Sequence, residues 1–144
     1  MRTALFAPIN EQDEAMGKMV ETAIFSQWFH SNSPLYYARW PGGEVDIVKL
    51  GQDQKPVWAL EVKWSDRFPD HPEELKSLLK FCHEHNLAQA GVTTQTETRT
   101  TAKDSVTIKF TPAALFCFLV GYNILRAKHL LSEWSDRNRD TVEP

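Results

Sequence analysis

The sequence predicts a mixed α/β domain, a central sheet flanked by helices, in the order helix, three strands, helix, two strands, helix (αβββαββα). Three observations carry this. Apolar residues recur at helical spacing in residues 16–29 and 75–82. Three short runs between Leu35 and Trp64, rich in aromatic and branched residues, are separated by turn-forming residues. A helical segment then stands between the third run and the fourth, as a crossover between parallel strands requires.

Residues 1–12, with Pro8 among polar neighbours, are expected to form an approach segment to a single domain over 13–135, and 136–144 to fray as a tail. Glu11 to His30 begins with acidic residues and carries Met16, Val20, Ala23 and Phe29 on one stripe, so a helix favoured by its dipole is predicted, closed by Ser31-Asn32-Ser33-Pro34. Leu35–Trp40 and Glu44–Leu50 read as strands joined by Pro41-Gly42-Gly43. Gly51 to Pro56 then leads into a third strand, Val57–Trp64, completing a meander.

After the loop Ser65–Pro69, Asp70, Pro72 and Glu73 predict a helix start with Asp70 as cap and Glu73 closing a capping box. Leu75, Leu78, Leu79 and Cys82 are its apolar stripe. Leu87–Thr94 reads as the parallel strand, Thr96–Asp104 as a polar loop, and Val106–Phe110 as the last strand. Thr111-Pro112 then opens an apolar helix from Ala113 to about Leu125, suited to packing under the sheet or to a subunit contact, and the remainder, with Trp134, is expected to finish helical before it frays.

A chain of 144 residues with 42% hydrophobic and 24% charged residues fits one globular domain. Gly17-Lys18 is followed by Met19 and lacks the earlier glycine of the nucleotide phosphate loop. The net charge of −3 argues mildly against a dedicated nucleic-acid binder. A local basic strip can coexist with it, drawn from Lys49, Lys55, Arg67, Lys76, Lys80, Arg99, Lys103 and Lys109. Cys82 and Cys117 sit among apolar residues, as buried thiols of a reducing cytoplasm would. The run Ala113–Val120 is too short to span a bilayer, so no membrane association is expected. Cys82-His83-x-His85 has poor spacing for zinc, because the two histidines project about 200° apart on a helix. Among the five tryptophans, Trp40 beside its Pro-Gly-Gly turn is the one with a candidate ligand role.

The chemistry-bearing stretch is Gly42–Trp64. Side chains two apart on a strand emerge together, roughly 7 Å apart, so Glu61 and Lys63 share one face while Trp58, Leu60, Val62 and Trp64 take the other. Asp46, on the preceding strand and expected on the face of Glu44, Val48 and Leu50, can oppose Glu61. Carboxylates gathered this way raise one another's pKa, and a hard divalent cation relieves that. Glu21 lies on the first helix alongside Ile24, Phe25 and Trp28, an acid on an apolar stripe that needs a partner. Glu74-Leu75-Lys76 repeats the Glu-x-Lys tripeptide on the second helix, so the tripeptide alone is a weak signal.

Asp46, a turn, and Glu61-Val62-Lys63 inside an apolar strand resemble the PD-(D/E)XK nuclease superfamily, with Val45 where proline often precedes the aspartate. The series GKMVETAIF, LYYARWPGGEVDIV and WALEVKWSD, from about Gly17 to Leu125, is similar to the C-terminal nuclease-like domain of unknown function in bacterial and archaeal AAA-type ATPases. The resemblance implies a restriction-endonuclease-like core. It also implies Mg²⁺ or Mn²⁺ held by Asp46, Glu61 and the carbonyl of Val62. Lys63 would activate water, Glu21 would assist, and the substrate would be nucleic acid, DNA first. The alternative it implies is a catalytically inactive interaction or regulatory module for an AAA-type ATPase. A homodimer built on the last helix is a third reading.

Overall fold

In the computed structural model, residues 14–28 and 34–139 are described, with side chains described as far as residue 128. The elements are α1 (Glu14–Ser26), β1 (Leu35–Trp40), β2 (Gly43–Leu50), β3 (Pro56–Glu61), a 3₁₀ turn (Pro72–Glu74), α2 (Lys76–Glu84), β4 (Gln89–Thr94), β5 (Arg99–Lys103), β6 (Val106–Pro112) and α3 (Ala113–Arg139). The strands form one mixed sheet in the order β1-β2-β3-β4-β6-β5. β1, β2 and β3 are the antiparallel meander. β3 pairs parallel with β4 across the α2 crossover, and β4 pairs parallel with β6.

Each face of the sheet buries a separate apolar cluster. α2 brings Leu75, Leu78, Leu79, Phe81 and Cys82 against Val45, Val48, Ala59, Val92, Ile108 and Phe110. On the other face Ile24 of α1 and Ala113 of α3 meet Ile47, Leu60 and Val62, with Trp28, Trp58 and Phe116 packed around them. Leu78 is fully buried, so truncating it to alanine removes about 2–5 kcal/mol. Trp40 does not stand free as a ligand platform. It is stacked on Phe81 at 6.0 Å and packs against the α2-side cluster, where its ring would meet any Cβ added at Gly43.

Five expectations are corrected. The polar stretch after β4 contains a strand, β5, paired antiparallel with β6 through a turn in which Asp104 and Ser105 both have positive φ, 47° and 67°. That mirror-image turn is the one that matches strand twist, and Asp-Ser is an uncommon sequence for it. β5 lies at the sheet edge with little buried surface, so its threonines show no apolar alternation. Asp70 does not cap the second helix. It pairs with Arg99 of β5, while Pro72-Glu73-Glu74 form a 3₁₀ turn and α2 begins at Lys76 without a side-chain cap. Glu73 bonds to His71 instead of completing a capping box. The last helix continues past Leu125, in keeping with the sequence, but runs on through the start of the expected tail to Arg139. β3 ends at Glu61, three residues short of Trp64, for a reason that belongs to the site. The approach segment, the start of the first helix before Glu14 and the Ser31–Ser33 stop lie outside the described residues, as do 140–144.

β2 also departs from strict alternation. Tyr36 pairs with Val48 and Ala38 with Val45, so β2 spends one more residue than β1 over this stretch, a β-bulge. Val45 and Val48 consequently join the same cluster, and Asp46 and Ile47 occupy the bulge between them.

Candidate metal and phosphate site

The site is built where β2 and β3 lie side by side, at the ends that approach α2. Ile47 pairs with Leu60, which brings the preceding Asp46 beside Glu61 as the sequence predicts. Both acids are buried, at 9% and 8% exposure, far below what a carboxylate normally retains.

The end of β3 is held by side chains. The amide N–H of Val62 donates to Asp46 Oδ2 at 2.6 Å, so a carboxylate stands where a strand neighbour's carbonyl would be. The N–H of Lys63 donates to Thr93 Oγ1 at 2.8 Å, and the Thr93 hydroxyl donates back to the Lys63 carbonyl at 2.8 Å. The bulge in β2 and the hydroxyl of β4 therefore take over from the backbone ladder, and this is why β3 stops at Glu61 while Val62 and Lys63 stay fixed. Thr93 is fully buried. It was missed in the sequence, where a threonine in a strand has no distinguishing signal.

Lys63 Nζ lies 2.7 Å from Glu61 Oε1 and 5.8 Å from the centre of the Phe68 ring. The other oxygen of Glu61, Oε2, is buried without a hydrogen-bond partner. Burial first, and the Asp46 charge second, push the Glu61 carboxyl up to about 7, against the pull of Lys63. Asp46 is also raised, by burial, with the Val62 N–H opposing. Lys63 is raised in spite of its burial, because Glu61, Asp46 and Glu44 together favour its charged form. Glu21 of α1 belongs to the same electrostatic group. Its carboxyl is raised by partial burial and then by the charges of Asp46 and Glu44.

The predicted residues are therefore neighbours, with the carboxylates short of a closed ligand shell. Among the described residues, three potential ligand atoms within 4.8 Å of one another occur at His71, Glu73 and Glu74, not at Glu21, Asp46 and Glu61. Val62 contributes its N–H to Asp46, and its side chain packs in the cluster beneath. His83 and His85 are exposed, and His85 lies against the Phe81 ring at 4.4 Å, so the Cys-His-x-His stretch gathers no site.

A cavity of about 360 Å³ opens beside Glu61 and Lys63. Glu44, Phe68, Glu74, Leu75, Lys76 and Ser77 line it as well. The second Glu-x-Lys thus shares a cavity with the first. Its Glu74 belongs to the 3₁₀ turn and only Lys76 to the helix, a correction to the expectation of a single helical setting. Glu44 accepts a hydrogen bond from the Tyr37 hydroxyl. Asp66, just past Lys63, accepts from the N–H groups of Gln95, Thr96 and Glu97 at 3.0, 2.8 and 3.1 Å and from the Thr96 hydroxyl at 2.6 Å. These four bonds hold the loops after β3 and β4 together beside the site and lower the Asp66 pKa despite some desolvation.

Of the candidate basic strip, Lys55, Arg67, Lys80, Arg99 and Lys103 are paired with acids. Lys76 has no ion pair among the described residues, and it is the member of the strip that lines the cavity. No helix is long and apolar enough to cross a membrane among the described residues. Residues 16–116, from α1 to the first turn of α3 and including every residue of the site, match the family model described as a domain of unknown function, DUF4143. No curated protein and no solved structure matches the chain.

Proposed function

Taking as premise that the chain belongs to the DUF4143 family, we propose that it is a Mg²⁺-dependent nuclease with a PD-(D/E)XK site on a restriction-endonuclease-like core. The observation that carries this is Glu61: a buried carboxylate beside Asp46 with one oxygen on Lys63 and the other unpartnered. Such an arrangement is unfavourable by itself. It suits a hard cation, which takes oxygen ligands and leaves positions for water and phosphate oxygen. Asp46, Glu61 and the Val62 carbonyl are the donors that would hold Mg²⁺ or Mn²⁺, and the donor set is all oxygen, as those ions require.

When bound, the cation supplies Lewis-acid stabilisation of the phosphate and a more acidic water. The protein does the rest. Thr93 fixes the backbone of Lys63, so the ammonium is delivered to the Glu61 carboxylate and to the edge of the cavity. There it can orient the attacking water or stabilise negative charge developing on phosphate. Glu21, in the same electrostatic group as Asp46 and Glu44, can help bind the metal or orient that water. Nucleic acid, and DNA first, is the proposed substrate, and the free thiols of Cys82 and Cys117 suit a cytoplasmic setting.

The test is incubation with Mg²⁺ or Mn²⁺ and single-stranded, duplex and branched DNA, beside Asp46→Ala. Metal-dependent cleavage, lost in the variant by roughly 10²–10³-fold, is expected. Absence of both cleavage and metal-induced thermal stabilisation would refute the nuclease reading.

A second reading keeps the fold as a catalytically inactive interaction or regulatory module for an AAA-type ATPase. It is favoured by α3, which leaves Leu115, Phe118, Leu119, Tyr122 and Leu125 exposed, with Phe118 and Tyr122 stacked at 6.1 Å. Light scattering distinguishes this from a homodimer on the same helix, which would show concentration-dependent mass.

A further inference from the structure

We propose that the start of α2 is an anion subsite, which holds a phosphate group of the substrate strand beside the cation at Glu61. The inference rests on the metal-dependent reading above and adds to it where the strand lies and what orients it.

Three N–H groups are left open at this helix end. The first α-helical hydrogen bond is donated by Leu79, to the Leu75 carbonyl at 2.9 Å, and no side chain caps the helix. The N–H groups of Lys76, Ser77 and Leu78 are therefore those that an α-helix leaves without an internal partner. α2 spans nine residues, long enough for its aligned peptides to favour negative charge at that end. The 3₁₀ turn that replaces the expected Asp70 cap is what leaves the end open. Asp70 is held by Arg99 elsewhere, and the Leu75 N–H turns back to Pro72.

The feature that turns an open helix end into a site is what it faces. Lys76 and Ser77 line the same cavity as Glu61, whose Oε2 is buried and unpartnered. The same cavity thus carries the Glu61 carboxylate, suited to a cation, and at the helix end the Ser77 hydroxyl and the Lys76 ammonium, suited to an anion. A phosphate group held there would turn one oxygen toward the cation and others toward the helix end.

The charges also set the order of binding. Glu44, Glu61 and Glu74 outnumber Lys63 and Lys76 on the cavity wall, so a bare anion meets repulsion there. A divalent cation reverses that balance. Phosphate and cation are therefore expected to bind with positive coupling, each strengthening the other.

The experiment is calorimetric titration of inorganic phosphate into the full chain, with and without Ca²⁺, a hard cation that replaces Mg²⁺ without promoting rapid turnover. Wild type, Lys76→Ala and Ser77→Asp are compared. Ser77→Asp suits the helix dipole and so preserves the fold, while placing a negative charge where the anion sits. Thermal melts check that both variants remain folded. The expected result is phosphate binding that needs Ca²⁺, weakened about tenfold or more by Ser77→Asp and by a smaller factor in Lys76→Ala. Ca²⁺ binding that depends on Asp46, with phosphate affinity unchanged in both variants or independent of Ca²⁺, overturns the subsite and leaves the nuclease reading intact. Absence of any Ca²⁺ binding overturns both.

Discussion

Two tripeptides of the same pattern, Glu61-Val62-Lys63 and Glu74-Leu75-Lys76, contribute to the lining of a single cavity and behave differently. In the first, extended backbone sends both side chains to one face, and acid and amine meet at 2.7 Å, the acid buried and the lysine partly so. In the second, the backbone passes from a 3₁₀ turn into a helix. Glu74 then turns to Arg67 at 2.5 Å, and Lys76 lines the cavity without an ion pair among the described residues. Residue type is the same, yet the backbone decides whether the pair neutralises itself or divides its charges between separate partners. Burial then decides how much that matters. Charges at Glu61 are barely hydrated, whereas Arg67 is largely in water.

The largest effect that would sharpen this contrast is on turnover. Under the proposed nuclease activity, Lys63→Ala is expected to lower kcat by roughly 10²–10³-fold, while Lys76→Ala should act mainly through KM. Steady-state kinetics on a cleavable DNA checks this, and equal losses of kcat in both would break the comparison. Next comes Thr93→Val, close to isosteric, which removes both bonds to the Lys63 backbone. It should destabilise the fold by about 1–3 kcal/mol in urea denaturation and lower kcat as well.

Glu61→Gln should do the reverse to stability in metal-free protein. Folding raises the Glu61 pKa to about 7 from an ordinary value of 4.5, so the folded chain binds the extra proton between those limits. The wild type's stabilisation from that proton is present at low pH and lost as pH rises through about 7. Glutamine has no such loss. The variant is expected to be more stable by about 1–2 kcal/mol at pH 8, the gain shrinking toward pH 5, while cleavage is abolished. Melting curves at the two pH values check it, and a variant less stable than wild type at pH 8 would contradict it. The smallest effect belongs to Glu74→Gln. Its ion pair with Arg67 is substantially exposed, so a change within about 1 kcal/mol is expected.

Much of this was legible in the sequence because the signals were periodic. The meander and the crossover helix follow from alternation and turn residues, and Asp46 opposes Glu61 as expected, although the bulge breaks the alternation that was to put Asp46 on one face with Val48. What escaped was written in side chains standing in for backbone. Nothing in a lone threonine announces that Thr93 closes two bonds on Lys63. Nothing in Asp66 announces that it gathers three amides from a loop about thirty positions away. Asp70 was misread because the sequence shows what can cap a helix, and not that Arg99 will claim the carboxylate from a distant strand. β5 was hidden because an edge strand with few buried side chains has no apolar rhythm to reveal it.

The bulge in β2 sets two clocks on one strand. Before it the residues keep time with the end of β1 that contains Trp40, and after it with the end that contains Tyr36, one step out of phase. Deleting one residue between Val45 and Val48 would bring the strand back into uniform step, yet it would also rotate one half against the other. Either the valines would leave their shared core or the carboxylate of Asp46 would swing away from the Val62 amide. The irregular stitch in the sheet is therefore what lets a greasy interior and a buried carboxylate be supplied by neighbouring residues of the same strand.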